Sequence, residues 1–358
     1  MEKSKVELLF ESLKTNKVSD VHLLEWKKVY VRNTSWDIVI TKWEIITRDE
    51  IEKFIKHVLS DSQIEKLEKH EEIDSSFSKY GSHFRINVYI TRGKYGIAIR
   101  KISADIPTLE DVDIPDYIQN FLMKDKWLIL ITGPTGSGKS TTLSAMVNFI
   151  NENRRKHIIT LEDPIEYIFE DKQCLVTQRE IWKDTEGWAN AIKSAVRQDP
   201  DIIMVWEMRD PETIETVLNL VETWHLVLST LHTVNAAQTI TRIIDVFPGD
   251  KQKDIAVKLS LSLEVAISQR LMPLKSGDGR VAVRDIMINS PAIKNNIKNK
   301  EIEKMIAIME TWAKYGMKTM DRSLAEVVAK DLVSLENVKP LVQNKEYFIN
   351  SLRNLQNG

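Results

Sequence analysis

Apolar and polar positions change their rhythm once along the chain. Up to about residue 105 the apolar runs are short. Val21 to Leu24, Val29 to Arg32 and Ile38 to Ile40 read as brief strands. Phe84, Ile86, Val88 and Ile90 alternate with polar neighbours, and with Tyr95 to Ile102 they predict a strand pair joined at Arg92-Gly93. Leu8, Leu9, Phe10 and Leu13 recur at helical spacing, so a first helix is expected at the amino terminus, and a second from Arg48 to about Leu67. This first part, 1–105, is a small α+β domain. Ile106-Pro107 to Pro115 opens a linker over 106–126, because proline donates nothing to a sheet and holds its predecessor extended.

From Trp127 short apolar strands alternate with amphipathic helices, the pattern of an α/β domain with a largely parallel sheet. Strands are expected at Leu128 to Ile131, His157 to Leu161, Ile202 to Val205 and Leu226 to Thr230. A helix is expected over Thr141 to Asn151, with Leu143, Met146, Val147 and Ile150 on one face. The α/β part runs over 127–290, and 291–358 reads as mostly helical.

Composition excludes several classes. A chain of 358 residues with 42% hydrophobic and 28% charged positions can bury two cores. A net charge of −2 with scattered basic residues argues against nucleic acid as a partner. The single Cys174 forms no intramolecular disulfide and fits a reducing cytoplasm. No apolar run reaches the roughly 20 residues of a membrane span, so any membrane link runs through a partner.

The chemistry concentrates after the strand at Leu128. Gly133, Pro134, Thr135, Gly136, Ser137, Gly138, Lys139 and Ser140 match Gly-x-x-x-x-Gly-Lys-Ser between an apolar strand and a helix, which is the context of a phosphate-binding loop. Its glycines turn backbone N–H groups onto phosphate oxygens, and Thr141 continues the loop into the helix. Lys139 reaches the β- and γ-phosphates, and Ser140 offers its hydroxyl to Mg²⁺. ATP and Mg²⁺ are therefore the expected ligands. Asp201 to Val205 followed by Glu207 is an apolar strand delivering a carboxylate beside the phosphates, to hold Mg²⁺ or orient water. Glu162, Asp163 and Glu166 follow another strand and supply candidates for a general base. His225 and His232 flank the strand Leu226 to Thr230, where their rings could report the phosphate state.

These segments, with Glu207-Met-Arg-Asp210, Thr230-Leu-His-Thr233 and Arg242-Ile-Ile-Asp-Val-Phe-Pro248, resemble the secretion and pilus ATPases, and among them the PilT family of type IV pilus retraction ATPases. The resemblance covers nearly the whole chain. It implies a RecA-like P-loop NTPase domain, a smaller PAS-like amino-terminal domain and a ring of six subunits. It assigns Glu207 as the Walker B catalytic glutamate, Glu166 as the Asp-box glutamate, and His225 and His232 to the two histidine positions. It also implies that arginines of the first domain close the site, with Arg85, Arg92 and Arg100 as the candidates on the predicted strand pair.

The retraction branch is favoured by the lack of the further amino-terminal region and four-cysteine metal motif of extension and type II secretion ATPases. Ala292-Ile-Lys-Asn-Asn-Ile-Lys298 also resembles the Ala-Ile-Arg-Asn-Leu-Ile-Arg-Glu segment linked to retraction, with Lys294 and Lys298 for arginines, Asn296 for leucine and Asn299 for glutamate. The expected protein is thus a hexameric, ATP-hydrolysing motor for pilus retraction and twitching motility. It would be cytoplasmic, at the inner face of the cytoplasmic membrane, with an inner-membrane platform protein as partner. The rivals are a nucleotide-binding regulatory subunit that has lost turnover, and a related ATPase moving secreted protein or nucleic acid.

One departure from the family is systematic. Trp26, Trp36, Trp43, Trp127, Trp182, Trp206, Trp224 and Trp312 stand at places expected to hold glycine, and only Trp188 falls where an aromatic is normal. Glycine numbers 12 of 358, under half the usual share of about 7%. Both facts follow if the gene comes from an organism that reads UGA as glycine.

Overall fold

The computed structural model describes residues 18–33, 38–41, 44–79, 82–102, 105–277 and 279–357. The helix expected before residue 18, and Trp36 and Trp43, lie outside them. The chain divides into two compact units, Met1–Ile106 with Glu162–Phe169 and Gln178–Gly187, and Pro107–Leu161 with Glu170–Thr177 and Trp188–Gly358.

The first unit is built on β1 (Val18–Leu24), β2 (Tyr30–Asn33), β3 (Ile38–Ile40), β4 (Ile73–Lys79), β5 (Ser82–Thr91) and β6 (Lys94–Ile102). They form one antiparallel sheet in the order β3-β2-β1-β6-β5-β4. Alternation sorts its faces. Val21, Leu23, Phe84, Ile86, Val88, Ile97 and Ile99 are buried and share a core with Ile51, Phe54, Ile55 and Val58 of helix α1 (Arg48–Val58). Asp20, Arg85, Asn87 and Arg100 occupy the intervening positions and line a polar cleft. The helical stretch expected from Arg48 to Leu67 consists of two helices. Ser60 accepts from the N–H of Gln63, whose side chain returns to the Ser60 N–H, and this reciprocal cap starts α2 (Asp61–Glu68) afresh.

The second unit carries β7 (Trp127–Thr132), β8 (His157–Glu162), β9 (Leu175–Glu180), β10 (Ile202–Val205), β11 (Leu226–Leu231), β12 (Leu263–Pro273) and β13 (Arg280–Ile288), ordered β13-β12-β7-β11-β10-β8-β9. Strands β12, β7, β11, β10 and β8 run parallel, and β13 returns antiparallel to β12. Helices α3 (Lys139–Asn153), α4 (Trp188–Ala195), α5 (Pro211–Glu222), α6 (Ala236–Asp245) and α7 (Gly249–Ser262) follow in chain order. The parallel strands are buried on both faces: every residue of Leu128 to Ile131 and of Ile202 to Val205 is inaccessible. The carboxyl-terminal part carries α8 (Pro291–Asn299), α9 (Ile302–Thr311), α10 (Met320–Ala329) and α11 (Lys345–Asn357). Met272 of β12 and Val283 of β13 share a core with Met320, Leu324 and Val327 of α10 and Phe348 of α11.

Asp285 of β13 is buried, with one oxygen accepting from the Ala236 N–H at the start of α6 and the other without a partner. Burial pushes its pKa up to about 7, with the Ala236 bond opposing and the charge of Asp321 adding to the rise. The folded state then keeps a proton that the unfolded chain releases near pH 4, so stability falls as pH rises through that window and levels off above about 7. Asp285→Asn keeps the acceptor and removes the titration. Its melting temperature is expected to exceed that of the parent at pH 8, with the gap closing by pH 5.

Among the described residues, four tryptophans have backbone torsions that side chains rarely take: φ is +62° at Trp26, +130° at Trp127, +68° at Trp182 and +69° at Trp224. Strain of this kind costs on the order of 1–3 kcal/mol per residue. Trp206 and Trp312 have ordinary torsions, with φ −99° at Trp312.

Candidate functional site

In the second unit, the loop after β7 is shaped by glycine. Gly133, Gly136 and Gly138 have φ of +147°, +77° and +83°, and Gly138 immediately precedes α3. At Gly133 the crowding is severe, since a Cβ there would lie 2.3 Å from the Gln269 carbonyl oxygen. Gln269 belongs to β12, whose Ser268 pairs with Thr132 at the end of β7. Its side chain braces the loop, donating to the Ser137 carbonyl at 2.8 Å and accepting from the Thr142 hydroxyl at 3.0 Å. Pro134, Ser140 and Thr141 are half-buried, and Thr135 and Gly136 are open to solvent. The Ser137 hydroxyl is buried without a protein partner.

Lys139 folds back, its ammonium donating to the carbonyls of Gly133 at 2.8 Å and Pro134 at 3.1 Å. It also lies 3.4 Å from Nδ1 of His232. The other ring nitrogen of His232 is 3.4 Å from Glu207, and Arg209 donates to the second Glu207 oxygen at 2.7 Å. Lys139, His232 and Glu207 thus form a continuous row at the carboxyl ends of β7, β11 and β10, where open α/β sheets bind ligands. The Glu207 carboxylate is 11% exposed. Trp206 keeps the strand in register, its N–H donating to Leu161 O at 3.0 Å.

His225 is placed elsewhere. It precedes β11 at the amino end, its Nδ1 3.0 Å from Leu220 O and 3.2 Å from the Thr223 hydroxyl. At about 3.3 Å per residue, β11 sets the two histidines roughly 20 Å apart. Asp201 also lies at an amino end, bound to Lys156 and the His157 N–H, each at 2.9 Å.

In the first unit, Arg85 and Arg100 face each other across β5 and β6. Arg85 lies 3.4 Å from Glu166 and 3.9 Å from Asp74, and Arg100 binds Asp20 at 2.7 Å. Arg85, Arg100, Glu166 and Tyr167 line a cleft of about 190 Å³. Arg92 is not with them. It forms the β5–β6 turn with Gly93, at φ +51° and +71°. Behind Glu166, its N–H donates to Glu162, which also accepts from Gln178 at 3.1 Å.

Among the described residues no group of three or more His, Cys, Asp or Glu side chains could hold a metal unaided. A hydroxyl at Ser140 and a carboxylate at Glu207 are hard oxygen donors suited to Mg²⁺, which binds through one or two protein groups and completes its shell with substrate phosphate and water. The donor set fits a cation that arrives with a nucleotide.

Arg209 lies within the segment Glu207-Met-Arg-Asp210, but no role is assigned to it there. Gln269 escapes the motif reading, because it meets the loop through strand pairing 132 residues away in sequence.

A parallel sheet with a glycine-shaped loop heading a helix, and a carboxylate delivered by a neighbouring strand, defines a P-loop nucleotide-binding protein. The chain belongs to the type II/IV secretion system protein family, whose model matches residues 6–331. It is 44% identical over 265 residues to the type IV pilus retraction ATPase PilT of Pseudomonas aeruginosa, covering 74% of this chain and 77% of that one. It is also 44% identical over 263 residues to the twitching motility protein of Neisseria gonorrhoeae, covering 74% and 70%. The crystal structure of the pilus retraction motor PilT with bound ADP superposes with a TM-score of 0.87 at 38% identity, covering 96% of this chain and 98% of that one. The Legionella pneumophila ATPase DotB, 23% identical, shares the fold with a TM-score of 0.84 over 94% of each chain.

Proposed function

We propose that this chain is an ATP-hydrolysing motor subunit that powers retraction of type IV pili and hence twitching motility. The row Lys139, His232, Glu207 carries the reading, because it ties the phosphate-gripping lysine to a carboxylate able to prepare water. The relatives named for pilus retraction and twitching motility support it.

In this mechanism the free N–H groups of the loop leading into α3, with the positive end of that helix, hold the polyphosphate. Lys139 exchanges its two loop carbonyls for phosphate oxygens. Ser140 and Glu207 would hold Mg²⁺ together with the nucleotide, and the ion would supply positive charge to the phosphates. Glu207 orients the attacking water and takes its proton, and His232 senses whether the γ-phosphate is present. Glu166 takes the part of the Asp-box glutamate. Arg85 and Arg100 supply positive charge to the transferring phosphoryl group, as arginine fingers do. His225, bonded at the far end of β11, acts away from the phosphates.

The first unit is PAS-like and the second RecA-like, and six subunits form a ring at the cytoplasmic face of the inner membrane. Subunits firing in sequence move a membrane platform protein. The undisturbed strand at Trp206 supports turnover over a purely regulatory role. Lys139→Ala is expected to lower ATP hydrolysis by about 10²–10³-fold and to abolish pilus retraction in cells. Phosphate release near the parent rate would rule this mechanism out.

A further inference from the structure

We propose that the working protein carries glycine at positions 26, 127, 182 and 224, the codon written there as tryptophan being a UGA that its own cell reads as glycine. The backbone carries the inference. Trp224 is the second residue past α5, with φ +69°. Its N–H reaches Val221 O at 3.2 Å and the next N–H reaches Leu220 O at 3.4 Å. That paired closure of a helix end requires a left-handed residue where Trp224 stands, and glycine is the residue that supplies it without steric cost. Trp26 is the third residue of a turn closed by the Lys27 N–H on Leu24 O at 3.0 Å. Trp182 holds the same place in a turn closed by the Lys183 N–H on Glu180 O at 3.4 Å. In both turns the second residue keeps negative φ and the third is left-handed, which is the type II pattern and calls for glycine third. Trp127, at φ +130°, is further still from the torsions a side chain tolerates.

The side chains agree with the backbone. An indole stabilises a protein by being buried, yet Trp26, Trp182 and Trp224 are 55%, 50% and 70% exposed. Two of these rings lie under lysine ammonium groups, Lys66 over Trp182 at 5.1 Å and Lys126 over Trp224 at 4.2 Å, contacts any exposed ring makes with a flexible neighbour. Trp188 is the contrast: it begins α4 with an ordinary torsion and is only 9% exposed. The torsions therefore separate Trp188 from the four, and burial separates it from Trp26, Trp182 and Trp224. The shortage of glycine, 12 in 358 residues, is what such a reading of the codon would leave behind.

The deciding experiment is tandem mass spectrometry of peptides from the protein purified from its own organism. Glycine is expected at 26, 127, 182 and 224 and tryptophan at 188; tryptophan at any of the four overturns the proposal. Because the same codon would stand at 36, 43, 206 and 312, glycine is expected there too. A second measurement uses recombinant protein made with tryptophan throughout and with Trp26→Gly, Trp127→Gly, Trp182→Gly and Trp224→Gly combined. The glycine form is expected to melt several degrees higher, and an equal or lower melting temperature counts against the proposal as strongly as the peptide result.

Discussion

Glu207→Gln is expected to slow ATP turnover by about 10²–10⁴-fold while ATP still binds. Glutamine keeps the size of the side chain and one oxygen, which still accepts from Arg209 at 2.7 Å while the amide nitrogen takes the place of the oxygen beside His232, so the end of β10 should hold its shape. What it loses is the capacity to accept a proton from water. The grip on the phosphates belongs to the loop and Lys139, which do not change. Binding of a fluorescent ATP analogue and single-turnover phosphate release, measured on the same preparation, separate the two effects. Weakened binding with unchanged turnover of the bound fraction would move Glu207 from chemistry to binding.

Gly133→Ala is expected to abolish nucleotide binding and to destabilise the second unit by several kcal/mol. The added methyl would sit 2.3 Å from the Gln269 carbonyl and 2.5 Å from the Ser137 hydroxyl, with the backbone at φ +147°. The hydroxyl can rotate away. The carbonyl cannot, because Gln269 is paired with Arg284 of β13. Gly136→Ala is the control, since nothing lies within 4 Å of its added methyl and only the torsion of +77° resists it. That variant should lose on the order of 1 kcal/mol and retain measurable ATP binding. Urea unfolding and nucleotide titration of the two proteins read the difference.

Much of this site was legible because its parts are local. Gly133 to Thr141 is continuous chain between a strand and a helix, and Glu207 follows directly on an apolar run. The pairing of Arg85 with Glu166 was not legible, because 81 residues separate partners that the first unit brings together. Arg92 and His225 show the converse. Both lie near the right elements in sequence, but one forms a turn and the other occupies the wrong end of its strand for a phosphate. In the fold, the buried parallel strands announced themselves as apolar runs. The long pair β12 and β13 did not, because Ser268, Gln269, Arg270, Arg284 and Asp285 interrupt its apolar pattern. The helical stretch expected from Arg48 is divided at Ser60, and the division was not legible because capping is decided by three residues, against which a twenty-residue periodicity has no resolution.

Strand β12 touches the loop through Gln269 and, three residues on, enters the helical core through Met272. An extended chain scarcely stretches, so these two contacts behave as points on one tie rod. A load that shifts α10 or α11 must tug on the bracing amide, and a change of occupancy at the phosphates must push back along the same line. Thermodynamic reciprocity makes the two influences equal in free energy. The motor's grip on its fuel would then be sensitive to the force on its far side.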